Sequence, residues 1–382
     1  MRWPVPPAVA ALLVGTLATG ADALAAPCGA VAPKRATILT EEAPERSPGG
    51  SEEAARALEA QLDGMGAERS CEVGPTPFGR GLVATRDLAP GAVALRIPLS
   101  CAMAEPADGG GEEAGLEDTW AGRLAMRVLE RQLSGGCPHV ATFPDPPPTP
   151  ARGDWPTSAL DAFDDAFFRE EIDAAFNWRY AQWEAHCQDE SSRYELRDSF
   201  LGALDLVCSR TFRVGSSKML VPLIDMANHA SRPGGGGHHH VEADGDSICL
   251  LAGDRGVRRG EEVTLDYGSR RNEDWILHYG FVPDRNTEGE RIRLSGSART
   301  VSWDDVGTDD AYLREECQLL YREIPTSIEE DLLLLRDESI VSDFRRQQAI
   351  NHRLSRKMLL SAIIGEKAAS PKASFFSFAE QS

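Results

Sequence analysis

Two stretches of this chain carry side chains that could do chemistry. Val221 to Ser231 (VPLIDMANHAS) is an apolar run that ends on Asn228-His229. Thr264 to Phe281 (TLDYGSRRNEDWILHYGF) holds Tyr267-Gly268 at the end of a strand-like alternation, with Tyr279-Gly280-Phe281 beyond it. An Asn amide both donates and accepts hydrogen bonds, and an imidazole beside it adds a second polar edge. A phenol at a strand end, next to a glycine that permits a sharp turn, can aim its hydroxyl at whatever that pair holds. The chemistry suggested is a reaction of a bound polar ligand beside a phenol. Upstream, Gly79 and Gly81 in Phe78-Gly79-Arg80-Gly81-Leu82 can bring backbone close to the same ligand.

The surrounding pattern supplies elements to position these residues. Phe78 to Thr85 and Asp87 to Pro98 are short β-rich runs broken at Gly and Pro-Gly, which read as paired strands with tight turns. Residues 52 to 64 have helical composition. From about 106 to 200 the chain changes character, with helix-like stretches at Trp120 to Gln132 and Leu160 to Cys187. The aromatic stripe of the latter is read as core. Tyr194 to Val214 reads as an amphipathic helix ending near Ser209-Arg210, ahead of the Asn-His segment. Ser247 to Leu251 and Val263 to Gly268 alternate as strands. From about 305 the period is helical: Ala311 to Tyr321, Ser327 to Asp337 and Ile340 to Ile364, with Ser327 and Glu330 spaced as a capping box.

Composition bounds the possibilities. A length of 382 residues suits two domains, or one with a large insertion. The formal charge of −20 argues against nucleic acid, whose phosphates need clustered Lys and Arg, and fits a basic protein partner. Eight scattered cysteines with no C-x-x-C pair argue against structural zinc and a disulfide scaffold. His238, His239 and His240 lack a suitably spaced carboxylate or thiol and are read as a solvated loop, so no metal is expected. Arg2, the apolar run Ala8 to Leu17 and Ala23-Leu24-Ala25 read as a targeting peptide over 1–26, too short for a stable membrane span. Residues 27–67 follow as leader and linker. Secretory entry is expected, with onward delivery to a plastid or, alternatively, a cytoplasmic location.

Together the G-x-G strand, the Asn-His segment, the Tyr267-Gly268 strand and Tyr279-Gly280-Phe281 resemble the motifs of SET-domain methyltransferases, specifically the branch of the Rubisco large-subunit lysine methyltransferase. The absence of a cysteine cluster after the Tyr-Gly strand matches that branch. The resemblance implies an α+β fold: a β-rich SET domain over 68–290, a helical insertion at about 106–200, and a short all-helical domain over 305–370. It implies S-adenosylmethionine as cofactor and methyl transfer to a lysine of a non-histone protein. Tyr267 would be the catalytic residue, its oxygen engaging the polarised methyl through weak C–H···O contacts. Gly79, Gly81, Leu82, Arg210, Asn228, His229 and Phe281 would hold the cofactor, with the Arg210 guanidinium on its carboxylate. Phe212, Asp225 and Tyr279 would line the substrate channel. A protein-histidine acceptor, or a SET-fold binding module without turnover, stays open as an alternative.

Overall fold

The computed structural model describes residues 49–365 apart from 78, 107–118, 188–192, 230–239, 284–285, 287–288, 295 and 298. The expected targeting peptide, most of the leader, and His238 and His239 lie outside the described residues. The chain divides into two units, Met1–Pro146 with Asn177–Asp266, and Pro147–Phe176 with Tyr267–Ser382.

In the first unit the G-x-G strand is a central strand. Strands β2 (Cys71–Thr76) and β3 (Gly79–Ala84) form a hairpin in register from Cys71↔Ala84 to Thr76↔Gly79. Gly79 adopts a φ of +97°, which closes the turn and which L side chains disfavour. Strand β10 (Glu262–Val263) pairs with the other edge of β3. A second sheet has the order β1-β4-β9-β8, from β1 (Glu68–Arg69), β4 (Val93–Pro98), β8 (His240–Asp244) and β9 (Ser247–Leu251). A third, β5-β7-β6, joins β5 (Met103–Pro106), β6 (Phe212–Val214) and β7 (Ser217–Leu220). Each of these pairings is antiparallel. Ala94, Leu95 and Ile97 of β4 are fully buried.

Helix α1 (Gly49–Gly64) opens the described chain. Helix α2 (Trp120–Ser134) starts where the Thr119 hydroxyl accepts the Gly122 N–H and buries Trp120, Leu124, Ala125, Val128 and Leu129. Their spacing of three and four residues defines one apolar stripe. It packs with Phe200, Leu204 and Val207 of α4 (Arg193–Arg210) and with Met103 and Leu220 from the third sheet. The core therefore holds the helix that ends at Arg210.

Helix α3 (Ala166–His186) contributes its residues up to Phe176 to the second unit and the remainder to the first. The sequence pattern predicts an unbroken helix from Leu160 to Cys187. Instead a short helix, Thr157–Asp161, is separated from α3 at Asp164, which has a φ of +51°. Asp165 then restarts the helix, its Oδ1 accepting the Phe168 N–H at 3.1 Å.

The second unit contains α5 (Asn272–Tyr279), the hairpin of β11 (Arg291–Arg293) and β12 (Thr300–Ser302), and helices α6 (Ala311–Glu323), α7 (Ile328–Leu334) and α8 (Phe344–Ile364). Its core joins Ile292, Leu294, Val301, Leu313 and Cys317 to Leu359, Leu360 and Ile363. The Ser327 capping box forms as the spacing predicts: Ser327 Oγ accepts the Glu330 N–H at 3.1 Å, and Glu330 Oε2 accepts the Ser327 N–H at 2.7 Å. The expected helix from Ile340 breaks at Asp343, whose carboxylate caps α8 through the Arg346 N–H at 3.2 Å. No helix among the described residues is long and apolar enough to cross a membrane.

Candidate active site

The Asn-His segment is placed by a buried, tightly turned approach. Val221 to Ala227 are all buried. Leu223 has φ +63° and ψ −47°, and the Ile224 N–H donates to Pro222 O at 2.9 Å. This is a γ-turn with positive φ, a strained conformation for a side-chain-bearing residue. It leads into a 3-10 turn, Ile224–Met226, that delivers Asn228 half-buried. Asn228 O then accepts the Leu265 N–H at 2.8 Å, and His229 and Leu265 form a parallel bridge. The Asn-His segment thus runs beside the strand segment that ends in Asp266. Pairing along that segment is sparser than its alternation predicts: only Glu262–Val263 forms a ladder, with Leu265 in the isolated bridge.

Asn228 ties this segment to β3. Its Nδ2 donates to Glu262 Oε1 at 2.8 Å, Thr76 Oγ1 at 3.2 Å and Arg80 O at 3.3 Å. Three acceptors share two N–H groups, so the amide's donors are committed to protein. The carbonyl Oδ1 is the atom Asn228 can offer to a ligand amine or ammonium. Gly81 makes this approach possible. A Cβ at Gly81 would lie 2.6 Å from Asn228 Nδ2, 2.8 Å from Glu262 Oε1 and 2.9 Å from Thr76 Cγ2.

Two guanidiniums in the first unit are fixed on backbone carbonyls. Arg210, at the end of α4, donates through Nη1 to Asp225 O, and Arg80 donates through Nη2 to Thr142 O. Burial, then the Arg210 charge nearby, lowers the Arg80 pKa from its usual value, partly countered by Asp225. The Asp225 side chain is fully buried, with Oδ2 at 2.6 Å from His139 Nε2. This carboxylate, set against a buried imidazole, supports the turn before Asn228. The Thr142 hydroxyl donates to His139 O at 2.6 Å and continues this support toward Arg80.

The Leu82 side chain is fully buried in the sheet, its backbone paired with Val73 on one edge and Val263 on the other. Phe212 lies half-buried on β6 opposite Met219 and belongs to that sheet rather than to the Arg-Asn group. Arg80, Glu262, Thr76 and His139 were missed by sequence reading. Arg80 lies between two glycines already singled out, which was a usable signal. His139 has none, being 86 residues from its Asp225 partner.

The second segment of the second unit starts at Tyr267, next in the chain after Asp266. Tyr267 packs on Tyr279 with ring centroids 5.1 Å apart and stacks on Trp275 at 5.9 Å. Trp275 in turn meets Tyr279 at 4.9 Å and Phe281 at 5.6 Å. The sequence therefore anticipates three members of one aromatic cluster and omits Trp275, its buried centre. Helix α5 holds Trp275 and Tyr279 in one face and stops at Gly280, which has a φ of +82°. Arg270 supports Tyr267 from behind: Nε donates to Tyr267 O at 3.1 Å.

Gly81→Ala tests the Asn228 contact. The added methyl forces Asn228 or Glu262 to move, at a cost of about 1–3 kcal/mol as for other overpacked sites. Titration with S-adenosylhomocysteine is expected to show roughly tenfold weaker binding. Unchanged binding would separate Asn228 from the ligand.

No protein-family profile matches the chain. The actin-histidine N-methyltransferase of Canis lupus familiaris is 33% identical over 75 residues, which is 20% of this chain and 12% of that protein. The chain therefore matches a small fraction of that enzyme's length. Among solved structures, the SET domain of LSMT bound to lysine and AdoHcy superposes with a TM-score of 0.61 at 18% identity, over 82% of this chain and 90% of that one. Rubisco LSMT bound to sinefungin and monomethyllysine gives 0.61 at 18% identity, over 84% and 91%. The AdoMet complex of Rubisco LSMT gives 0.58 at 18% identity, over 82% and 91%. The chain has the fold of these SET domains, an α+β architecture with helices at its C-terminal end, as expected from the sequence.

Proposed function

We propose that this protein is an S-adenosylmethionine-dependent methyltransferase acting on a lysine of a non-histone protein. The observation that carries the reading is the Asn228 amide pinned between the Gly79–Gly81 strand and Glu262, with the Arg210 guanidinium donating to Asp225 O three residues before it. The donor set fits the cofactor's amino-acid end: guanidiniums suit a carboxylate and the Asn228 Oδ1 suits an ammonium. When bound, S-adenosylmethionine supplies an electrophilic methyl on a sulfonium sulfur. Arg210 and Arg80 would hold the carboxylate, and Asn228 Oδ1 would accept from the ammonium. Tyr267 positions the acceptor nitrogen, and its neighbours Trp275, Tyr279 and Phe281 keep water away from an amine that must be neutral to attack. Proton loss from that amine to solvent precedes attack, so no side chain is required as a general base. The relatives whose structures contain lysine or monomethyllysine support lysine as acceptor. The charge of −20 supports a basic protein as partner, drawn in by long-range attraction.

A histidine acceptor is the second reading, favoured by the short match to the actin-histidine enzyme. One experiment separates the two. Labelled methyl is transferred from S-adenosylmethionine into proteins of a methylation-poor lysate, and the modified residue is identified by mass spectrometry. Label on lysine is the expected result. Label on histidine replaces the acceptor and keeps the chemistry. Absence of both label and S-adenosylhomocysteine binding overturns the reading and leaves a SET-fold binding module.

Arg210→Met checks the cofactor assignment directly. Loss of one charge-assisted contact, about 1.5–3 kcal/mol, is expected to weaken S-adenosylhomocysteine at least tenfold by calorimetry. The effect is expected to diminish for an analogue lacking the carboxylate. Equal losses for both ligands would mean that Arg210 acts through the fold.

A further inference from the structure

Another constellation lies wholly within the second unit and has no part in the proposed methyl transfer. Asp165, at the start of α3, Glu273, in the first turn of α5, and His352, on α8, each place one ligand atom within 4.8 Å of the others. Their side chains are 6%, 7% and 0% exposed. The His352 imidazole is held by aromatic neighbours, stacked on Phe168 at 5.1 Å and edge-on to Phe163 at 5.4 Å. Such packing fixes the ring and keeps water out.

Polar groups in this pocket are incompletely satisfied. Glu273 Oε2 and His352 Nδ1 are buried with no hydrogen-bond partner, as is Oε1 of the nearby Glu290. Native interiors leave few such atoms, and each calls for a physical account. Positive charge is also short. Arg356 meets Asp165 at 3.1 Å, whereas Arg271 is engaged by Glu171 and Asp274. Glu290 has only the Asn272 amide and the Ser355 hydroxyl on Oε2.

The separation of Glu273 Oε1 and His352 Nε2 is 3.2 Å. A charge-assisted hydrogen bond is usually about 2.7–2.9 Å. Two ligands on one tetrahedral ion, with bonds of about 2.0–2.1 Å, stand about 3.3 Å apart. The spacing therefore suits ligands that share an ion at least as well as partners that share a proton. An imidazole with carboxylates selects a first-row transition ion over calcium or magnesium.

We propose that Asp165, Glu273 and His352 form a binding site for a divalent first-row transition ion, of which Zn²⁺ is the probe. The ion ties the starts of α3 and α5 to α8 and stabilises the unit that carries Tyr267 and Tyr279. Local ligand spacing could not have revealed it, because Glu273 and His352 are 79 residues apart.

The full chain, stripped by a chelator and dialysed, is titrated with Zn²⁺ and assayed for bound metal. His238, His239 and His240 are replaced by Ala in a background control, which removes the adjacent histidines as a competing site. One Zn²⁺ per chain is expected in this background, with a rise in Tm at saturation. Glu273→Gln combined with His352→Asn is expected to weaken binding at least tenfold. Failure of the background protein to bind Zn²⁺, or full retention of binding by the double variant, overturns the proposal. If the double variant does not fold, anomalous diffraction at the zinc edge decides: a peak among the three side chains supports the site, and no peak there overturns it.

Discussion

Tyr267→Phe is expected to lower methyl transfer by roughly a hundredfold while leaving S-adenosylhomocysteine affinity within about threefold, the scale of a small misplacement of reacting atoms. The change removes one oxygen and keeps the ring. Packing on Tyr279 at 5.1 Å and on Trp275 at 5.9 Å is therefore preserved, so the aromatic cluster stays intact. What disappears is the hydroxyl that would hold the methyl and the incoming nitrogen in line. Single C–H···O contacts are worth only about 0.5–1 kcal/mol each, too little for the whole effect. Most of the loss must come from misalignment. Single-turnover transfer with saturating cofactor measures the chemical step apart from binding. A rate within threefold of wild type would remove Tyr267 from the catalytic role and direct attention to Tyr279. A matched loss in S-adenosylhomocysteine affinity would instead make Tyr267 part of the cofactor site.

The features legible in the sequence are those whose residue types are themselves unusual in their setting. Asn228-His229 ends a buried apolar run and Gly81 has no room for a Cβ; in the second unit Tyr267, Tyr279 and Phe281 flank glycines at chain turns. Local chemistry and local packing coincide at each. The surroundings of Asp225 and Leu82 are not legible in the same way, because they depend on a γ-turn at Leu223 and on β3 being flanked on both edges. His139 was invisible because nothing local marks an imidazole that will meet a carboxylate far along the chain. The helix breaks at Asp164 and Asp343 show the same limit. Helical periodicity continues through them, while an aspartate cap or a positive φ decides the boundary.

Asp331→Ala is expected to destabilise the C-terminal unit by about 3–5 kcal/mol, the usual cost of removing one partner of a buried ion pair. Asp331 is completely buried on α7. It accepts from Arg353 Nε at 3.1 Å and from Arg353 Nη2, from Lys357 Nζ at 2.6 Å and from the Thr326 hydroxyl at 3.0 Å. Two cations thus share one carboxylate, and its loss strands both. Arg353 cannot release its proton. Lys357 can, and burial already pulls its pKa below 10.5 against the opposing pull of Asp331. Lys357→Met should cost clearly less than Asp331→Ala: it loses the Nζ bonds to Thr326 Oγ1 and Ser327 O but keeps the aliphatic stem and leaves a one-to-one Asp331–Arg353 pair. The sign with pH follows from linkage. A lysine whose pKa is lower in the folded state favours the fold increasingly as pH rises toward 10.5, because the unfolded chain holds its proton longer. Wild type should gain on Lys357→Met over that rise and lose the gain as pH falls through the folded value. Thermal unfolding measures both effects, with a fall in Tm of roughly 10 °C for Asp331→Ala. A fall below about 2 °C would mean that water reaches the cluster and screens it. Comparable losses for Asp331→Ala and Lys357→Met would make the ammonium an essential partner and overturn the one-to-one pairing argument.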